Sequence, residues 1–382
     1  MKKVLIVLTV IVAIIVAFLF YPTNYYLRKA IVHQLPTIDQ YPIFENRVIE
    51  ANDPQPWHIS PKFNSVDLPE EQRPAFEELE TVAFLVIRDS LLLFEEYWED
   101  YSPGSLSNSF SMAKSIVSLA IGCAIDDGAI QGVDQPVSDF IPEFPGYDGK
   151  TLTIRHLLTM SAGVDYQEAY TSPFSPTTKL YYGNDLRRIT MGMKEIETPG
   201  VNVVYQSAVT QLLAFILEKA TGETLSHYVS RKLWTPMQAE ENALWSLDRK
   251  EGMEKAYCCF NSNARDFARF GQLILNQGSW NNQQLVSQDY LIQAITPDTT
   301  LQYEGDPNHY YGYQYWHLTY KGIPVYYMRG IYGQYVFAIP ERNAVIVRLG
   351  HQRSETRTTQ RYPDDIDIWL ETGFAIMEMV ED

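Results

Sequence analysis

Ser111-Met112-Ala113-Lys114 is the one Ser-x-x-Lys in the chain, and it opens an apolar stretch of helical period. At a helix start the i, i+3 spacing puts hydroxyl and amine on one face. A serine hydroxyl is a weak nucleophile until a neighbour takes its proton, and a desolvated lysine amine can do so. The positive potential of a helix N-terminus favours the neutral amine. The pair predicts covalent acyl transfer, with Ser111 as nucleophile and Lys114 as its base.

A partner motif for such a pair is a tyrosine with Asn or Ser two residues on. Four segments qualify: Tyr170-Thr171-Ser172, Tyr182-Gly183-Asn184, Tyr205-Gln206-Ser207 and Tyr228-Val229-Ser230. Spacing does not choose among them. Tyr205 follows Pro199-Gly200 and immediately precedes an apolar helical stretch, so it can sit on a fixed turn at a helix start. Tyr228 lies inside a helical stretch, and Tyr170 and Tyr182 lie in a loop rich in Thr, Ser, Pro and Gly. The third element is Arg329-Gly330-Ile331-Tyr332-Gly333 between two late strands. Glycine permits close backbone approach there, so the Ile331 amide can point with the Ser111 amide at one substrate oxygen. This chemistry requires no metal and no organic cofactor. His-Glu-x-x-His and paired Cys-x-x-Cys patterns are absent, and the seven histidines show no ligand spacing.

These residues need a scaffold. Residues 81–88 and 91–98 are β-rich runs separated by Asp89-Ser90, a hairpin signal. After a Ser-Pro-Gly loop, residues 111–125 carry Ile116, Leu119, Ala120 and Cys123 at helical spacing, with Gly128 marking the end. Further helical stretches are expected at 154–160, 208–221, 225–233 and 264–276, within a helical insertion at about 132–286. Strands return at 311–319, 323–328, 334–339 and 344–349, joined by short turns and so antiparallel. An amphipathic helix at about 366–379 covers one face of that sheet.

At the N-terminus, Lys2 and Lys3 precede an apolar run from residue 4 to residue 21, broken only by Thr9 and followed by Pro22. At 1.5 Å per residue the run nearly spans the ~30 Å hydrocarbon layer. No small-residue cleavage site follows it, so a retained anchor is expected, contacting the lipid bilayer through residues 1–23. The two lysines place the N-terminus in the cytoplasm and the remainder outside it, in a single pass through the cell (inner) membrane. Residues 24–74, rich in Pro and Asn, read as a stalk or wrapping segment, and residues 75–382 as the catalytic domain.

Composition narrows the rest. A hydrophobic content of 46% with 20% charged residues describes a globular domain, neither disordered nor polytopic. The formal net charge of -17 excludes nucleic acid as a partner, because phosphate binding needs clustered cations. Three cysteines, two of them adjacent, define no disulfide framework.

Taken in order, Ser111–Lys114, Gly128-Ala129-Ile130-Gln131-Gly132-Val133-Asp134, Pro136-Val137, Ile141-Pro142-Glu143, the run from Ile154 to Gly163, Tyr205–Ser207, the run from Ala264 to Gly271, and Gly330–Gly333 resemble the class C-like β-lactamase superfamily of serine hydrolases. That superfamily includes D-alanyl-D-alanine carboxypeptidases, β-lactamase-fold esterases and aminohexanoate-dimer hydrolases. The resemblance covers residues 81 to 349. It implies a β-lactamase/transpeptidase-like fold, α/β plus all-α, with an antiparallel sheet flanked by helices and the site between sheet and helical insertion.

It also implies Tyr205 as second general acid/base, Ile331 as second oxyanion donor, and Ser207 and Gly330 beside the substrate, a small ester, amide or short peptide. One departure bears on substrate. The β-lactamases and carboxypeptidases of the superfamily carry Lys or His two residues before the motif glycine, where this chain has Met328, and Arg329 falls on the opposite strand face. The Ser207 variant and the Gly-Ile-Tyr-Gly-Gln run look more like the esterase and aminohexanoate-dimer hydrolase branch. Carboxypeptidase or β-lactamase chemistry is the enzymatic alternative, and a membrane-tethered acylation sensor without turnover the non-enzymatic one. An α/β-hydrolase elbow is excluded, since Thr159-Met160-Ser161-Ala162-Gly163 lacks the first glycine.

Overall fold

The computed structural model describes residues 1–381. The apolar run forms helix α1 (Lys2–Phe20), which ends where Tyr21 turns extended before Pro22, and α2 (Tyr25–His33) follows at once. Strand β1 (Asn46–Ile49) lies in the segment read as a stalk or wrapping segment. The hairpin is β2 (Thr81–Arg88) and β3 (Leu91–Tyr97). Its two-residue turn works because Asp89 and Ser90 both adopt positive φ, 52° and 62°, the geometry that matches strand twist.

Strand β4 (Ser107–Asn108) leads into α3 (Met112–Asp126), and α4 (Pro176–Tyr182) and α5 (Ser207–Thr221) lie in the middle of the chain. Then come β5 (Ala243–Ser246), β6 (Phe260–Ser262) and α6 (Ala264–Leu275). The last elements are β7 (Trp316–Tyr320), β8 (Ile323–Gly330), β9 (Gln334–Ile339), β10 (Ala344–Gly350) and α7 (Asp365–Glu381).

Six strands make an antiparallel sheet in the order β7-β8-β9-β10-β2-β3. Strands β9, β10 and nearly all of β2 are buried, as their predominantly apolar sequences require, with Gln334 in β9 and Arg348 in β10 as buried polar exceptions. Helix α6 packs on β9 and β10, and α7 packs on β10. A second sheet, β1-β5-β6-β4, ties three distant parts of the chain together. The result is an antiparallel sheet flanked by helices with an N-terminal apolar helix before it, the architecture the resemblance implies.

Two expected ranges change in detail, and a third gains definition. The strand expected from residue 311 begins at Trp316, because Tyr311 to Tyr315 form a tight turn in which the Gly312 amide donates to Tyr315 O at 2.9 Å and Gln314 has φ 65°. The range 132–286, read as a helical insertion, also holds β5 and β6, and its last helix, α6, covers the sheet. Residues 24–74 are woven into the domain, with β1 paired to β5 and α2 packed on α4, whose contact buries Tyr26 and Leu27.

Candidate active site

The nucleophile is placed by the second sheet. Ser109 donates its amide to Phe260 O at 2.8 Å, and Asn108 Oδ1 accepts from the Phe110 and Cys259 amides at 2.8 and 3.1 Å. These bonds hold Phe110 at φ 43°, a conformation unfavourable for a bulky residue. The chain then turns straight into α3, with Ser111 at its N-cap. Residues Met112 to Ala124 of α3 are all buried, so Lys114 cannot reach bulk water.

Lys114 is 1% exposed, and its Nζ lies 3.0 Å from Ser111 Oγ, 3.3 Å from Ser207 Oγ and 2.9 Å from Tyr257 O. An ammonium has three N–H donors, so these contacts occupy all of them. An amine that keeps its bonds to Ser207 and Tyr257 presents its lone pair to Ser111. Tyr205 closes the other side, with its ring centroid 4.9 Å from Lys114 Nζ. That ring is wedged against Tyr311 and Trp316 at 5.9 and 5.6 Å, and its hydroxyl makes no hydrogen bond among the described residues.

The third motif reaches Ser111 because Gly330 lacks a side chain. A Cβ there would fall 2.3 Å from Ser109 O. The following turn, with Tyr332 at φ 62°, rests its tyrosine ring on Phe110 at 5.5 Å. Buried Arg348 clamps the turn, donating to Tyr332 O, Gly333 O and Gln352 O at 2.9 Å each. Burial pushes its guanidinium pKa down to about 10, so it stays charged at neutral pH. Ser111 and Ile331 both line one cavity of about 570 Å³, and neither amide donates to a protein acceptor among the described residues.

The comparisons with known proteins bear on this geometry. Residues 70–367 match the family model described as Beta-lactamase. The chain belongs to the Beta-lactamase family. It is 30% identical over 302 residues to the 6-aminohexanoate-dimer hydrolase of Paenarthrobacter ureafaciens, covering 73% of this chain and 74% of that protein. A Bacillus anthracis structure provisionally named a 6-aminohexanoate-dimer hydrolase superposes with a TM-score of 0.77 at 20% identity, covering 90% of this chain and 93% of that one. A family VIII carboxylesterase superposes at 0.61 with 14% identity, covering 86% of this chain and 100% of that one. The protein is a hydrolase of the class C-like branch of this family.

Against that family pattern, Met328 is wholly buried, and Arg329 lies on the other face of β8, its Cζ 3.6 Å from the Trp316 ring centroid. Of the four Tyr-x-Asn/Ser segments, Tyr228 is remote, donating to Asp127 at 2.9 Å. Tyr182 lines the cavity and donates to Gln34 O at 3.1 Å. Tyr170 also lines the cavity, from the loop preceding α4. Ser161, the α/β-hydrolase near miss, is buried and bonded to Thr159 at 2.8 Å, and it does not line the cavity.

Sequence reasoning missed three features. Glu168 accepts from the Ser207 amide, the Ser207 hydroxyl and the Tyr170 hydroxyl, each at 2.7 Å. Cys258, on the cavity wall, is disulfide-bonded to its neighbour Cys259, so the adjacent pair does form a bond and only Cys123 is free. Ala30, Gln34, Leu35 and Pro36 also line the cavity, although nothing in their residue types signals a site.

Proposed function

We propose that the protein cleaves an ester or amide bond through an acyl-enzyme on Ser111. The observation that carries this reading is the 3.0 Å contact between a buried lysine amine and Ser111 Oγ at an open cavity. Ser111 Oγ attacks the carbonyl carbon and Lys114 takes its proton. The Ser111 and Ile331 amides donate to the oxyanion. Tyr205 passes a proton to the leaving alcohol or amine, and water then clears the acyl group by the same path in reverse. Met328 puts no cation at the third motif, which favours neutral ester or amide substrates over β-lactams and D-alanyl peptides.

The test is covalent. A fluorophosphonate is expected to label the intact protein at Ser111, and Ser111→Ala to abolish both labelling and turnover. Labelling elsewhere, or a burst of acylation with no turnover, would replace this reading, the latter by an acylation sensor.

Residues 2–20 have a mean hydropathy of 3.1 over their most apolar window, and the apolar helix is a candidate span near the N-terminus. On our reading it is retained as an N-in anchor with the catalytic domain outside the cytoplasm. Intact-mass analysis of the membrane fraction checks this, and a mature chain beginning between Tyr21 and Asn24 would show cleavage.

A further inference from the structure

Four of the residues lining the catalytic cavity, Ala30, Gln34, Leu35 and Pro36, belong to the chain that leaves the apolar helix. Their placement is fixed by α2 lying on α4. Tyr26 and Leu27 are buried in that contact, His33 stacks on Tyr182 at 6.4 Å, and Tyr182 donates to Gln34 O at 3.1 Å. Lys29 Nζ donates to Ile43 O at 2.6 Å, which ties α2 to the domain from its other side.

The other end of α2 carries the side chains expected at a membrane–water boundary. Arg28 donates to Leu19 O at 2.6 Å and lies over the rings of Phe20 and Tyr25 at 4.9 and 5.3 Å. Tyr, Lys and Arg gather at such boundaries because each pairs an apolar stem with a polar tip. Helix α2 has nine residues, so it carries the chain only about 14 Å from that boundary to the cavity.

The rim there exposes apolar side chains. Leu35, a lining residue, is 61% exposed, and Phe174, next to the lining residue Pro173, is 62% exposed. Single exposed apolar residues need no explanation, but a set running from an apolar helix to a catalytic cavity does. Inside, Phe110, Tyr181 and Tyr332 continue the apolar surface down to Ser111.

We propose that the cavity takes the acyl chain of an ester or amide resident in the bilayer, entering past Leu35 and Phe174 from the membrane surface. This rests on the Ser111 hydrolase reading and on retention of the anchor. The acyl carbonyl carbon bonds to Ser111 Oγ as its bond to the leaving oxygen or nitrogen breaks. The alcohol or amine departs with a proton, and water releases the fatty acid.

The experiment uses the full chain in phosphatidylcholine vesicles, with umbelliferyl esters of acetic, butyric, octanoic and dodecanoic acids. On the proposal, kcat/KM rises about fourfold per methylene until the cavity is full, the equivalent of ~0.8 kcal/mol for each methylene buried. Ala30→Trp, which fills the wall, moves the optimum to shorter chains, and Leu35→Glu flattens the rise. Fluorophosphonate labelling of each variant shows that it is folded. A dodecanoyl ester fixed in the bilayer is cleaved when it shares vesicles with the enzyme and is spared in separate vesicles.

A butyryl optimum in the parent, an optimum that Ala30→Trp leaves in place, or equal cleavage in shared and separate vesicles overturns the proposal while leaving the hydrolase intact. Loss of acetyl turnover together with absence of Ser111 labelling in the parent removes the hydrolase reading and this one with it.

Discussion

Lys114 and Glu168 share one hydroxyl: Ser207 Oγ lies 3.3 Å from Lys114 Nζ and 2.7 Å from Glu168 Oε1. The carboxylate only accepts, so the Ser207 proton points toward it and the serine lone pair faces the lysine. That orientation commits one Lys114 N–H to Ser207 and a second to Tyr257 O, and it leaves the third direction for Ser111.

Glu168→Gln tests this arrangement. The amide keeps the shape but brings a donor into a cluster of donors, so Ser207 is free to turn its proton onto Lys114 and occupy the amine. Turnover and the rate of fluorophosphonate labelling are expected to fall together by roughly tenfold to hundredfold, less than the ~10²- to 10⁴-fold for loss of the acid–base group itself, because Lys114 is still present. Parent rates for both would show that Glu168 only ties down its loop.

Helix α3 was legible because its signal is local: Ser111, Lys114 and the apolar run are neighbours in sequence, and burial of α3 follows from Ile116 to Cys123. The hairpin at Asp89-Ser90 and the late strands were legible for the same reason. Glu168 was not, since its bond to Ser207 spans 39 positions and any acid in a loop carries the same local signal. The contribution of α2 was hidden likewise. Gln34, Leu35 and Pro36 have no chemistry of their own, and only the tertiary contact with α4 brings them to the cavity.

Lys255 gives a pH prediction outside the site. It is fully buried, its Nζ 3.5 and 3.4 Å from Leu180 O and Gly183 O, and 5.0 Å from the Phe44 ring centroid. Burial pushes its pKa down to about 7, with Asp248 opposing that shift and Lys29 adding to it. In the unfolded chain the amine titrates near ~10.4, so the unfolded state binds the proton more tightly across that interval.

Folding stability is therefore expected to rise with pH from about 7 toward ~10.4, and to be lowest and flat in this contribution below about 7. Lys255→Met, which keeps the volume and removes the charge, should unfold at higher denaturant at neutral pH and lose that slope. Denaturant midpoints of parent and variant across the interval measure both effects. An equal slope in the two proteins would assign it to other groups.

Tyr205→Phe separates proton transfer from packing. The ring is held by Tyr311, Trp316 and Lys114 Nζ, and all three contacts survive loss of the hydroxyl. Since that hydroxyl has no hydrogen bond to lose among the described residues, the variant should fold as the parent does. Turnover of an amide is expected to fall by roughly 10²-fold or more, the scale for a positioned general acid. A nitrophenyl ester should be less affected, because a nitrophenolate leaves without a proton. Tyr170→Phe removes the bond to Glu168 and should show an intermediate loss, and Tyr182→Phe and Tyr228→Phe should stay near the parent. Steady-state kinetics on one amide and one activated ester across the four variants decide the matter. If Tyr205→Phe hydrolyses the amide at the parent rate while Tyr170→Phe is crippled, the proton is delivered from the cavity mouth by Tyr170, and Tyr205 serves only to pack against Lys114.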